Sequence, residues 1–254
     1  MSALQTFVIN LDRSADRLER IAQSLGQLGL PFTRVAAVDG RQLSDDERIR
    51  SLDEATYRRR HGMSSLPGEL GCYLSHVKAM HAFLATEADA ALILEDDVQP
   101  EPELPQVLQA LLGCPDRWDM VKISGVHSGT PVRVARLTGR HGLAVMLSRC
   151  TGSSAYVVNR RAAQAYVDGL LPMSLPYDHV FDQGWHFGLK VRMVSPLAAR
   201  HDAQVATTIT AAASGASRKF HWSRRWSTYA YRLGNEWRRL RYAIAQLWLE
   251  RQAR

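Results

Sequence analysis

Apolar positions fall in short blocks whose period changes along the chain. Thr6-Phe7-Val8-Ile9-Asn10-Leu11 is a run that predicts a first strand. Leu18, Ile21, Ala22, Leu25 and Leu28 then recur at helical spacing, with Asp12 or Ser14 able to cap that helix and Gly29 to close it. Phe32 to Val38 predicts a second strand ended by Asp39-Gly40, which completes a βαβ unit. Ser44-Asp45-Asp46-Glu47 starts a short polar helix, and the stretch around Arg58–Gly62 reads as a loop. Pro67–Gly71 reads as a turn that feeds a helix from about Cys72 to Glu87.

The run Ala90–Leu94 has no polar residue and predicts a strand buried on both faces. A helix from Glu103 to Leu112 follows, then strands at 120–124, 144–147 and 154–158. A helix at 160–169, a short helix within 176–188 and a strand at 191–194 complete the body. Alternation of this kind predicts an α/β sandwich with a mainly parallel sheet. A composition shift near Ser214-Gly215 divides the chain into a body, 1–215, and a tail, 216–254.

Three acids, Glu95-Asp96-Asp97, follow the Ala90–Leu94 run directly. They fall at the carboxyl end of a strand, where open α/β sheets bind ligands. Adjacent carboxylates repel one another unless a cation or hydrogen-bond donors offset the repulsion. A hard divalent ion that also holds phosphate oxygens is the usual solution. In extended backbone Glu95 and Asp97 share a side and Asp96 points away. A solvated acidic turn is the plainer alternative.

The composition, 46% hydrophobic and 22% charged, is that of an ordinary globular protein. No apolar run approaches the length of a transmembrane helix, and Met1–Leu11 shows no secretory signal pattern. Cys72, Cys114 and Cys150 are odd in number and widely spaced. They read as reduced thiols rather than a zinc site. The net charge of +7 comes from the tail: residues 218–254 hold ten Lys/Arg and two acids, a net of +8, so residues 1–217 carry −1. A neutral body with a basic tail does not suggest a nucleic-acid partner.

Several segments together resemble glycosyltransferase family 25, the lipooligosaccharide galactosyltransferase-like group. They are Phe7–Arg13 with Arg17, Pro67–His76, Leu92–Asp97, Thr151-Gly152 with Ala155–Val158, and Pro176-Tyr177-Asp178 with Asp182 and Trp185. These ordered matches cover about residues 6–200. The resemblance implies a GT-A-like, Rossmann-like fold, a UDP-sugar donor (often UDP-galactose) and inverting transfer.

Such a transfer needs a stabilised diphosphate leaving group, and a divalent metal, Mn²⁺ or Mg²⁺, supplies that. Glu95 and Asp97 are the expected ligands. His201 is a third, although the family pattern differs at that point. Inversion also needs a base for the acceptor hydroxyl. Asp178 and Asp182, at i, i+4, are the candidates, with a helix cap and a solvated first-turn acid as the plainer reading. Asn10, Asp12, Arg13 and Arg17 close the first strand and open its helix, a position suited to nucleotide and phosphate. Gly68 and Glu69, with Ser75 and His76 after them, make the other donor-binding candidates, and Asp96 can contact ribose.

In the tail, Trp222, Trp226, Tyr229, Leu233, Trp237, Leu240, Ile244 and Leu247 mark one helical stripe with arginines opposite. This predicts a C-terminal amphipathic helix that lies on a membrane surface through Trp222, Trp226, Trp237, Arg238 and Arg239. Docking of the stripe on the body, or a dimer contact, is the alternative. The expected setting is the cytoplasmic face of a bacterial inner membrane, beside a lipid-linked oligosaccharide acceptor. A metal-dependent phosphohydrolase and a non-catalytic sugar- or lipid-binding module are the rival functions.

Overall fold

In the computed structural model, which describes residues 3–127, 129–201 and 220–252, the predicted βαβ unit anchors a large sheet. β1 (Leu4–Asn10) pairs in parallel with β2 (Phe32–Ala36) on one side and β3 (Ala90–Glu95) on the other. Between them α1 (Ala15–Gln27) buries Ile21 and Leu25. The sheet continues through β8 (Ala155–Asn159), β5 (Met120–Lys122), β9 (Val191–Ser195), β7 (Gly142–Met146) and β6 (Pro131–Arg136), labels following chain order. The eight strands run in one direction except β8 and β7, so six share one sense. β4 (Val98–Pro100) and β10 (Ala199–His201) pair separately, with His201 opposite Val98.

Strand residues alternate between two cores, as the two-residue period of a strand requires. Phe7, Ile9, Ala91, Ile93, Tyr156 and Val158 face one layer, whereas Val8, Leu92, Leu94, Ala155 and Val157 face the other. The first layer includes α3 (Glu54–His61), α4 (Pro67–Leu84) and α6 (Arg160–Gly169); the second includes α1 and α5 (Leu104–Leu112). The result is an α/β/α sandwich. Smaller elements are α2 (Asp45–Ser51), α7 (Tyr177–Val180) and α8 (Gly184–Phe187).

Three local expectations change. Arg58–His61 is the end of α3 rather than a loop: Tyr57 is wholly buried and Asp53 caps the helix at Thr56 N–H. Pro67–Gly71 is the first turn of α4, with Pro67 at a position where its missing N–H costs nothing. β6 was not foreseen. The expected boundary at Ser214-Gly215 lies outside the described residues.

The tail helix α9 (Trp226–Gln252) docks on the body by its polar face. Thr228, Asn235, Arg239, Ala243 and Glu250 are its buried residues. Trp222, Trp226, Tyr229, Leu233, Trp237, Leu240 and Ile244 are exposed, and Trp248 extends their stripe; Leu247 instead packs against the core. Arg239 is buried, so it leaves the set of arginines expected at a membrane, while Arg238 stays exposed. Among the described residues no helix is long and apolar enough to cross a membrane.

Candidate active site

The carboxyl ends of β1, β2 and β3 open into a cleft with a cavity of about 160 Å³. Ile9, Val38 and Asp39 line one part of it, and Glu95, Asp96 and Asp97 the opposite part. The N-terminal half of α4 forms a wall with Gly68, Cys72, Ser75 and His76. Two glycines let that wall approach. A Cβ on Gly40 would stand 1.7 Å from the Pro67 carbonyl oxygen, and one on Gly71 would stand 2.5 Å from that of Val38. Ser75 fastens the same contact, accepting Val38 N–H at 2.8 Å and donating to the Gly71 carbonyl at 2.6 Å.

The three acids are held in different ways. Arg17 reaches them from α1, its Nε 3.3 Å from Asp96 and its Nη2 3.0 Å from Asp97. Asn10 donates to Asp96 at 2.7 Å and to the Ser14 carbonyl at 2.9 Å. Burial pushes the Asp96 carboxyl above its ordinary value, opposed by the Arg17 charge and the Asn10 hydrogen bond. Arg17 therefore offsets the repulsion within the acidic run. Glu95 points elsewhere: it accepts from Ser153 at 3.2 Å, and its Oε1 lies 3.3 Å from His76 Nε2.

His76 is fully buried and fixed on three sides. Its Nδ1 is 2.9 Å from the Tyr156 hydroxyl, its ring stacks on Tyr177 at 4.1 Å, and its Nε2 faces Glu95. Donor atoms of Cys72, His76 and Glu95 lie within 4.8 Å of one another, a grouping that can hold a metal ion. The expected partners of Glu95 were Asp97 and His201. Asp97 lines the same cleft but faces Arg17. His201 has backbone beside Val98, and its side chain lies outside what is described. The carboxylates of Glu95 and Asp97 suit a hard cation, while Cys72 and His76 add softer donors.

Asp178 keeps an accessible carboxylate that accepts Gly152 N–H at 3.1 Å and lies 3.9 Å from His179 Nε2. Burial pushes the Cys72 thiol well up, and so do the charges of Glu95, Asp178, Asp97 and Glu69. Gly152, which holds Asp178, is followed by Ser153, which donates to Glu95, so adjacent residues link Asp178 to the acidic run.

Other expected residues take structural roles. Asp182 is 1% exposed, and both its oxygens accept from Arg239 at 3.0 and 3.1 Å. It lies beyond the end of α7, not on one helical face with Asp178, and its carboxylate is committed to Arg239. Glu69 caps α4, accepting Leu66 N–H at 2.8 Å and the Tyr57 hydroxyl at 2.9 Å. Asp12 is exposed and pairs with Arg34 rather than capping α1, and Arg13 pairs with Asp39 at the cleft rim.

Sequence reasoning missed Lys122. It is fully buried and donates to the carbonyls of Cys150 and Gly152 at 2.5 and 2.6 Å, so it holds the segment whose amide binds Asp178. A single lysine within the apolar stretch Met120–Ile123 was the available signal. Cys72 was read only as a structural thiol, although it precedes His76 by one helical turn.

Residues 3–181 match the sequence family described as glycosyltransferase family 25 (LPS biosynthesis protein). A glycosyltransferase 25 family member of Aedes aegypti is 31% identical over 137 residues, 48% of this chain and 21% of the relative. Procollagen galactosyltransferase 2 of Homo sapiens is 32% identical over 127 residues, 47% and 20% of the two chains. The matched region spans about a fifth of the length of these curated relatives. Among solved structures, a galactosyltransferase in complex with donor and acceptor sugar analogues superposes with a TM-score of 0.38 at 12% identity, over 91% of this chain and 95% of its own.

Proposed function

The chain belongs to glycosyltransferase family 25, and from that premise we propose that it transfers a hexose, galactose in the first instance, from a UDP-sugar to a hydroxyl of a lipid-linked oligosaccharide, with inversion. The carrying observation is the cleft itself: Glu95, Asp96 and Asp97 line the carboxyl edge of the sheet, and the accessible Asp178 is held by Gly152 N–H next to the Ser153 that donates to Glu95. Animal relatives named procollagen galactosyltransferases support galactose as the sugar.

On this reading the apolar wall of Ile9, Leu11 and Val38 takes the nucleotide base, and Arg13 and Arg41 border the diphosphate. Glu95 and Asp97, with His76 and Cys72 nearby, would hold Mn²⁺ or Mg²⁺; when bound, that ion neutralises charge on the departing diphosphate. Arg17 pairs with Asp96 and Asp97 and orients both carboxylates. The acceptor hydroxyl approaches the anomeric carbon from the face opposite the leaving group. Asp178 takes its proton as the new carbon–oxygen bond forms and the bond to phosphate breaks. Gly152 N–H holds that carboxylate in position.

The exposed aromatic stripe of α9 supports a membrane-surface setting for the acceptor. UDP release from a panel of UDP-sugars, with and without Mn²⁺, tests the proposal. One donor should release UDP, Asp97→Asn should abolish release, and Asp178→Asn should keep donor binding while it slows transfer about 10²–10⁴-fold. A folded wild-type protein that neither binds nor cleaves any UDP-sugar refutes it.

A further inference from the structure

A second cleft lies where α9 crosses α3 and the segment between β7 and β8. Arg60, Arg149, His179, Arg232, Asn235 and Glu236 are among its walls. Three arginines meet one acid there. Burial lowers the pKa of the Arg232 guanidinium, and the charges of Arg225 and Arg149 lower it further, so positive charge in this corner is only partly balanced. Glu236 balances Arg149 only at a distance, 3.8 Å, from a half-exposed position.

Two of the three arginines, Arg60 and Arg232, are held in place before any ligand arrives. Arg60 donates to Ser174 at 2.8 Å and lies over the Tyr231 ring at 5.2 Å. Arg232 donates to the His61 carbonyl at 3.3 Å. A guanidinium fixed on one edge keeps its other N–H groups for a planar or tetrahedral anion. Asn235 gives an independent sign. It is 6% exposed, and its Oδ1 has no hydrogen-bond partner among the described residues. As placed, that oxygen can only accept, so an anion does not satisfy it in this orientation. Turned end for end, the same amide offers an N–H donor to an anion.

Size and location narrow the ligand. The cavity is about 10 Å³, room for one oxygen atom, so the group enters by one oxygen while the rest stays at the mouth. His179, in its wall, has Nε2 3.9 Å from Asp178 Oδ1. The cleft therefore adjoins the carboxylate that faces the acceptor, and it shares α9 with the exposed aromatic stripe.

We propose that this cleft is an anion subsite that takes a phosphate group of the acceptor, beside the hydroxyl that Asp178 deprotonates. The acceptor side rests on the transfer reaction proposed above; the anion site itself rests on Arg60, Arg149, Arg232 and Asn235. The phosphate can be an ester on the saccharide or a lipid headgroup, and the same chemistry recognises both.

The test is calorimetric titration of the full chain with inorganic phosphate at constant ionic strength, on wild type, Arg149→Gln and Arg232→Gln. Phosphate should bind, and each substitution should weaken binding about tenfold. Glucose 6-phosphate should bind and glucose should not. Vesicles of phosphatidylcholine with and without phosphatidic acid then separate the sources. A loss confined to glucose 6-phosphate assigns the group to the saccharide; a loss of phosphatidic-acid-dependent vesicle binding assigns it to the lipid. No phosphate binding, or equal binding by wild type and both variants, overturns the proposal. If Arg232→Gln does not fold, Arg149→Gln decides alone, because that side chain is one-third exposed and leaves no buried partner behind. Binding of the donor should be unchanged in both variants, since neither arginine lines the donor cleft. Phosphate binding by a wild type that neither binds nor cleaves any UDP-sugar would sink the transferase reading and keep the anion site.

Discussion

Arg239 and Asp182 meet through two parallel contacts, Nη2 to Oδ1 at 3.0 Å and Nη1 to Oδ2 at 3.1 Å, with both side chains buried. One belongs to α9 and the other to the segment between α7 and α8, so the pair ties the tail helix to the body. Removal of one partner leaves a buried charge without its counter-ion, at a cost of about 3–5 kcal/mol. Asp182→Asn and Arg239→Met should each lower the melting temperature sharply, and Asp182→Leu combined with Arg239→Met should recover part of the loss. Asp182→Asn that melts like wild type yet has lost transfer activity would return Asp182 to the catalytic candidates.

A second tie gives the fold a pH dependence. Glu250 of α9 pairs with Arg192 at 3.0 Å and also with Arg117. Burial pushes its carboxyl up, but hydrogen bonds from Arg117 and Arg192 and their charges outweigh burial and hold it below the ordinary 4.5. The folded value is then lower than the unfolded one. Stability from this carboxylate is present above about pH 4.5 and is lost as pH falls through the folded value. The gap in melting temperature between wild type and Glu250→Gln should be constant near neutrality and narrow on acidification. A gap that stays unchanged through the acid range refutes the assignment.

These two ties show where the sequence was legible. β3 and its acids could be read because a run without polar residues has one interpretation, a strand buried on both faces. α6 could be read because Ala162, Ala163 and Tyr166 keep helical spacing behind the Asn159 cap. α3 could not, since Tyr57 is the only large apolar residue in a stretch dominated by arginines. The i, i+4 spacing of Asp178 and Asp182 suggested one helical face, but the partner of Asp182 stands 57 residues away. Pairings at that range leave no local trace. The same holds for α9: its stripe was plain, yet which face docks depended on Asp182, Arg192 and Arg117.

Gly40 offers a direct test of the cleft wall. Its backbone packs on Pro67 and Gly71, and an added Cβ meets main-chain atoms that no rotamer change can clear. Gly40→Ala should displace the 37–41 segment that lines the cavity, destabilise the fold by about 1–3 kcal/mol and raise the donor KM more than it lowers kcat. An alanine variant with wild-type stability and KM would refute the close approach of Gly40 to Pro67 as a determinant of the cleft.

The exposed face of α9 makes the last prediction. Trp226, Trp237 and Trp248 are 68%, 61% and 58% exposed on a helix whose opposite face is already committed to Asp182, Arg192 and Arg117, and Trp222, 62% exposed, lies just before it. Several large aromatic side chains on one face exceed what isolated surface hydrophobes explain. An interfacial helix puts such a face at the level of lipid headgroups, and Arg238 and Arg241, on the same helix, would add attraction to anionic lipid. Immersion of each indole contributes about 2 kcal/mol. Wild type should therefore float with anionic vesicles and show a blue shift of tryptophan fluorescence, and Trp226→Ser with Trp237→Ser should release it without lowering the melting temperature. A double variant that still floats would refute the stripe as the lipid contact, and a wild type that stays in solution as a dimer through this face would replace the lipid with a second copy of the chain.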